Sequence, residues 1–181
     1  MRSRFLPEGR LLHTPENEAA CASCDGLRRA MEEGTVLEGV AQLCDGAHNL
    51  LVSVGPFTGF LPREEAALGI AEGTTREIAI LSRVGKPVCF QITALEESEG
   101  VLRPRLSRRR AQQAALDAML AGLHPGCILP AVVTHLESFG AFVDIGCGVP
   151  SLIGIENISV SRIPHPDQRF RVGQAIFAVV Q

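Results

Sequence analysis

The chain repeats itself. Val36 aligns with Ile128, Leu37 with Leu129 and Val40 with Val132, an offset of 92 residues. Further on, "LLVSVG" ending at Gly55 aligns with "AFVDIG" ending at Gly146, and "RVGKPVCFQI" from Arg83 aligns with "RVGQAIFAVV" from Arg171. Three matches in the same order describe two copies of one folding unit. Each copy consists of short segments, apolar at alternate positions and separated by Gly, Asp or Asn. That is the pattern of half-buried strands joined by tight turns.

In the first copy the alternation predicts strands near 35–43, 49–54, 58–61, 86–96 and 101–106. Five short strands in a unit of this size suit a partly open barrel, the OB fold. A helix is expected from Asp25, as its N-cap, to Glu33, and "REEAALGIAEGTTREIAILSR" reads as an insertion of helix and loop. The second copy predicts strands near 127–136, 140–146, 151–155 and 174–180, one strand short of the first. Its neighbours would then expose unpaired backbone, as in a truncated chain or a barrel completed by a partner's strand. Between the copies, Ser107 is placed to cap a helix, "RRRAQQAALDAMLAGL", that stops before His124-Pro125-Gly126. Leu116, Met119, Leu120 and Leu123 recur along it at helical spacing, as a docking stripe would. The expected organisation is an N-terminal extension with a short helix (1–33), a divergent OB domain (34–106), a linker helix (107–125) and a truncated OB domain (126–181). The fold class is mainly β with helical linkers, two tandem five-stranded OB-fold barrels, the second lacking its last strand.

Aromatic residues are scarce: eight Phe, no Trp and no Tyr. In "AFVDIG", Ala141, Val143 and Ile145 share one face of the strand, and Phe142 and Asp144 the other, which should see water. A second ring, Phe139, stands just before Gly140. Charge is scarce in the same uneven way. Residues 1–100 hold 9 bases and 15 acids, residues 101–181 hold 8 bases and 5 acids, so a polyanion would find the second half. No apolar run approaches the ~20 residues of a membrane span. The first twenty residues lack the apolar core of a secretory signal. The expectation is a cytoplasmic protein with no membrane association, its six cysteines reduced.

With these residues in view, the units resemble the S1 RNA-binding domain family, the OB-fold repeat of the largest small-subunit ribosomal protein. The second copy carries the resemblance in "VVTHLESFGAFVDIGCGVPSLIGIENIS" and "HPDQRFRVGQAI", the first more weakly in "GFLPREEA" and "GVLRPRLSRRRAQ". Together they cover about 34–181, in a tandem order that resembles the N-terminal part of bacterial ribosomal-S1-like proteins. The resemblance implies binding of single-stranded RNA and no catalysis, with no cofactor. It places Phe139 and Phe142 at the strand-two aromatic positions, where an exposed ring stacks a base for about 1–3 kcal/mol. The other reading is that both rings pack under the loop 156–173. Many members carry His on strand three; Gly154 stands there. His135, read as lying in the loop before strand two, is a substitute contact or a turn residue. In the first copy His48 and Leu51 replace the two rings, which suits a structural or docking unit. By resemblance its partner is the small ribosomal subunit.

"RPRLSRRR" sets five arginines in eight residues, and Arg162, Arg169 and Arg171 lie in or beside the 156–173 loop. Guanidinium forks suit phosphate, so Arg108, Arg109, Arg162, Arg169 and Arg171 are the expected backbone contacts, against the alternative of a solvated surface. Arg171 has a counterpart in Arg83, which also allows a structural role. Cys21 and Cys24 have metal-ligand spacing, but no second pair follows, so no metal is expected. Two rival classes remain at this stage: an RNA-gripping fragment of a larger enzyme, and a protein-binding module whose rings serve a partner.

Overall fold

The computed structural model describes residues 5–181; the first four residues of the expected N-terminal extension lie outside them. The extension holds two helices, not one: α1 (Pro15–Cys21) and α2 (Cys24–Glu33). The cause is local. The Thr14 hydroxyl accepts the Asn17 N–H, Pro15 opens the first turn, and Glu16 and Glu18 meet the positive end of the helix. Ser23, rather than Asp25, caps α2 by accepting the Gly26 N–H. Gly34, left-handed at φ 62°, ends it.

The chain divides into two compact units. One is Glu8–Ala114; the other is Ala115–Gln181 with the segment that ends at Pro7. The first unit contains β1 (Leu37–Cys44), β2 (Leu50–Val54), β3 (Phe57–Leu61), β4 (Pro87–Ser98) and β5 (Val101–Ser107). They close into a barrel in the order β1-β2-β3-β5-β4. Leu37, Leu50, Val52, Val54, Leu61, Val88, Phe90 and Leu106 fill it, each almost without exposure. Side chains of this kind contribute about 1.5–3 kcal/mol each when sealed from water. Gly39 allows β1 to lie close against β2, since a Cβ there would stand 2.1 Å from the Ser53 carbonyl oxygen. The insertion after β3 holds a short helix, α3 (Ile78–Leu81), whose Ile80 joins the core with Ala66, Ala67 and Ile70.

Residues 8–17 cover the outer side of β1 and β4 through buried polar groups. Glu38 on β1 accepts the N–H groups of Gly9, Leu11 and Leu12 at 3.0, 3.0 and 2.8 Å. The Asn17 side chain accepts the Glu38 N–H at 2.8 Å and donates to the Glu38 carbonyl at 3.0 Å. Glu8 accepts both a 2.6 Å and a 2.9 Å bond from Arg108, a 2.9 Å bond from Arg83 and the Cys89 N–H at 3.1 Å.

The second unit is a four-stranded sheet of β6 (Ile128–Glu137), β7 (Gly140–Asp144), β8 (Pro150–Gly154) and β9 (Ala175–Val179), in the order β8-β7-β6-β9. Ala131, Val133 and Val143 form its core, with Leu136, Ile145, Ile153, Phe170, Ile176 and Ala178 packed around them. Between the sheets in sequence runs α4 (Arg108–Gly122), and the Ser107 hydroxyl does accept the Arg110 N–H. The expected leucine stripe is not a buried one: Leu120 is 77% exposed and Leu123 also faces solvent, while Arg108, Ala111, Gln112 and Ala115 are the buried side chains. No described helix is long and apolar enough to cross a membrane.

Burial pushes the Glu38 carboxyl up from 4.5 to about 7, against the pull of the Leu11, Gly9 and Leu12 amides and helped by the Glu8 charge. A carboxyl raised on folding gains a proton between its two pKa values. Its contribution to stability therefore falls as pH climbs from about 4.5 to about 7 and is level above. Glu8 behaves in the opposite sense. Burial alone would raise it, but Arg108 and Arg83 hold it below its ordinary value, so its contribution is complete above about 4.5 and is lost as pH falls through the folded pKa. Urea denaturation of Glu38→Gln is expected to show a smaller loss of stability between pH 5 and 7.5 than wild type. Glu8→Gln removes the counter-charge of a buried guanidinium and is expected to destabilise the first unit by about 3–5 kcal/mol at pH 7.5.

Candidate nucleic-acid interface

The face of interest is set by the pleat of β7. Ala141 and Val143 point into the second core, so Phe142 points out and is half-buried. Two close approaches fix this strand. Gly140 faces Gly154 on β8, and a Cβ at Gly140 would lie 2.3 Å from the Ile153 carbonyl oxygen. At the other end Asp144 Oδ1 accepts the N–H groups of Gly146 and Gly148 at 2.8 and 3.0 Å. Asp144 was expected on the wet side. It is instead 5% exposed, and its carboxylate shapes the turn that returns the chain to β8.

Three rings meet outside β7. Phe139 and Phe142 stand edge to face, with centroids 6.2 Å apart, and His135 lies 6.3 Å from Phe142 at a tilt of 33°. His135 is not in a loop. It is a residue of β6, paired with Phe142 just beyond a bulge between Val133 and His135. The bulge shifts the register by one and aims the imidazole at the neighbouring ring. Its Nε2 lies 2.7 Å from Glu137 Oε1. On the far side Phe142 pairs with Leu152, 49% exposed, and Phe139 is 54% exposed. Neither ring is sealed under the loop after β8. The ring of that loop which goes inward is Phe170. The result is an open apolar ledge of two phenylalanines, a leucine and an imidazole edge, the kind of surface on which planar bases stack.

The expected arginines divide into two groups. Arg162, Arg169 and Arg171 are exposed in the segment between β8 and β9, and their side chains make no ion pair among the described residues. Arg108 is different: it is buried, holds Glu8 with two bonds and donates to the Ala66 carbonyl at 3.2 Å. Arg109 meets Glu72 at 2.5 Å and stands 4.0 Å from Glu65. The sequence reading of "RPRLSRRR" as a phosphate patch therefore loses Arg108, which is buried against Glu8, while Arg109 stays half-exposed. The partner of Arg108 lies 100 positions away in the chain, where no local pattern reveals it. Cys21 is buried, its thiol pushed up to about 11 by that burial, and Cys24 is exposed. No cluster of three metal-ligating side chains occurs among the described residues.

Residues 123–181 match the family model of the S1 RNA binding domain. The match covers about a third of the chain and falls on the second unit. Over 171 residues it is 28% identical to the small ribosomal subunit protein bS1 of Neisseria meningitidis serogroup B, covering 91% of this chain and 28% of that protein. A Mycobacterium tuberculosis bS1 is 28% identical over 176 residues, 93% of this chain and 34% of its own length. That of Streptococcus pneumoniae is 32% identical over 93 residues, 51% and 23% respectively. The chain thus spans about a third or less of the curated relatives it matches. The matched S1 segment contains all three rings, Leu152 and the three exposed arginines.

Gly140→Ala tests how this S1 face is held. The added methyl must push β8 away, and the second unit is expected to lose about 1–3 kcal/mol in chemical denaturation, with a weakened circular-dichroism signal from the Phe139–Phe142 pair.

Proposed function

We propose that this chain binds single-stranded RNA without a strong sequence code, as a cytoplasmic, non-enzymatic component of translation built from two OB-type units. The second unit is the RNA reader. Phe142 and Phe139 stack bases, His135 and Leu152 flank them, and Arg162, Arg169 and Arg171 neutralise phosphates. The single observation that carries this reading is the ring cluster of His135, Phe139 and Phe142, open on the outer face of a domain matched to the S1 family. These scarce aromatics, Phe142 half-buried on β7 and Phe139 exposed in the turn before it, lie outside the core. The relatives are proteins of the small ribosomal subunit, and the small subunit is the proposed partner of the chain. Arg108 is left out of the interface because it is buried and its charge is matched by Glu8.

Fluorescence titration with oligouridylate tests it. Phe142→Ala is expected to cost about 1–3 kcal/mol of affinity with little change in Tm. Binding is expected to weaken steeply between 50 and 200 mM salt on the scale of counterion release, about 0.7 in log–log slope per phosphate contact. Replacing Arg162, Arg169 and Arg171 together by Ala should flatten that slope. A folded wild-type protein with no affinity at low salt would overturn the proposal and favour a protein ligand for the rings.

A further inference from the structure

The outward row that carries Phe142 has a counterpart in the first unit, and that counterpart also holds a ring. In the second unit the row runs His135 on β6, Phe142 on β7, Leu152 on β8. In the first it runs Leu43 on β1, Leu51 on β2, Phe60 on β3 and then Arg105 on β5. The residues correspond one to one: Leu43 with His135, Leu51 with Phe142, Phe60 with Leu152. Even the bulge recurs, between Ala41 and Leu43 in β1 and between Val133 and His135 in β6. The leucine and the phenylalanine have exchanged strands. Judged by Leu51 alone the first copy has no stacking residue; judged by the row it has one, displaced by a strand width of about 4.8 Å.

Phe60 is not part of the barrel core, which is filled from the alternate positions Gly59 and Leu61 side of the strand. Its ring is half-buried on the outer face, beside Leu51, also half-buried, and in a row with Leu43, which is 51% exposed. The Arg105 guanidinium carbon lies 5.8 Å from the Phe60 centroid. Arg103, two residues earlier on the same side of β5, is exposed. Among the described residues the counter-charge at Arg105 is Glu96, at 3.4 Å in an exposed pair. Such a pair contributes little and exchanges readily for phosphate.

We propose that Phe60 and Arg105 form a second base-stacking site, on the first unit, for single-stranded RNA. A base lies against the Phe60 ring and the Leu51 and Leu43 side chains, and Arg105 and Arg103 meet the phosphates on either side of it. A guanidinium held near a ring suits a nucleotide, because it offers charge to the phosphate and a flat surface to the base. The choice of ligand rests on the reading of the second unit; the residues are independent of it.

The experiment uses the full chain and a short oligouridylate carrying 4-thiouridine, cross-linked at low salt and mapped by peptide mass. It is paired with titrations of Phe60→Leu and Arg105→Ala, alone and in a Phe142→Ala background. Phe60→Leu keeps the row apolar and is expected to preserve Tm. The expected result is a cross-link within 57–63 that survives Phe142→Ala, and a loss of about 5- to 150-fold in the residual affinity when Phe60→Leu is added. Cross-links confined to the second unit, with Phe60→Leu binding like its parent, would overturn this site and leave the proposed function standing. A cross-link at 57–63 with none in the second unit would support this site and overturn the other. Absence of any binding by the folded wild type would remove both.

Discussion

A slip of one residue between β6 and β7 would turn Phe142 into the core and Val143 out to water. Everything functional in the second unit depends on that register. Alternation along a strand has a period of two, so register and facing are a single choice. The choice is held at both ends of β7: by Gly140, whose lack of a side chain lets the Ile153 carbonyl approach, and by Asp144, which draws two turn amides onto one oxygen. Hydrophobic burial of Ala141 and Val143 then favours the same register from the inside.

The first unit solves a related problem with charge. Its outer β1–β4 face carries Glu38, and the segment before α1 is bound there by amide donors rather than by apolar packing. Glu8 and Arg108 complete the arrangement. Buried ions of this kind add little net stability over an apolar equivalent, but losing one partner is costly. They act as a specification of where residues 8–17 go.

The strands were legible in the sequence because alternation and turn residues mark them without help from tertiary structure. The observed spans differ from the expected ones by a residue or two at each end, as for β7, which stops at Asp144 rather than Gly146. The outward placement of Phe142 followed from the same alternation. α1 was missed although Thr14-Pro15 and two early glutamates announce it; the segment was short and its apolar content low. The bulge that delivers His135 left no mark, since an extra residue in one strand is defined only against its partner. Arg108 was misleading for a related reason. Clustered arginines look alike in a sequence, and only the fold shows which of them faces Glu8. Phe60 is invisible to any comparison along a single strand, because the row in which it stands crosses from β2 to β3.

The clasp between residues 8 and 108 also bears on how the first unit comes into being. It joins points almost a full unit apart in the chain, and the pairing of Phe60 with Arg105 that closes the barrel spans a little under half of that separation. Neither contact repays the chain until a long loop has already been ordered. Assembly of this barrel is therefore governed by distant encounters rather than by nearby ones, and it belongs with slow-folding β topologies that mature in milliseconds to seconds. On a ribosome adding a few residues each second, the barrel stays open until β5 and Arg108 have left the exit tunnel, and α1 and α2, capped locally, are ready long before it.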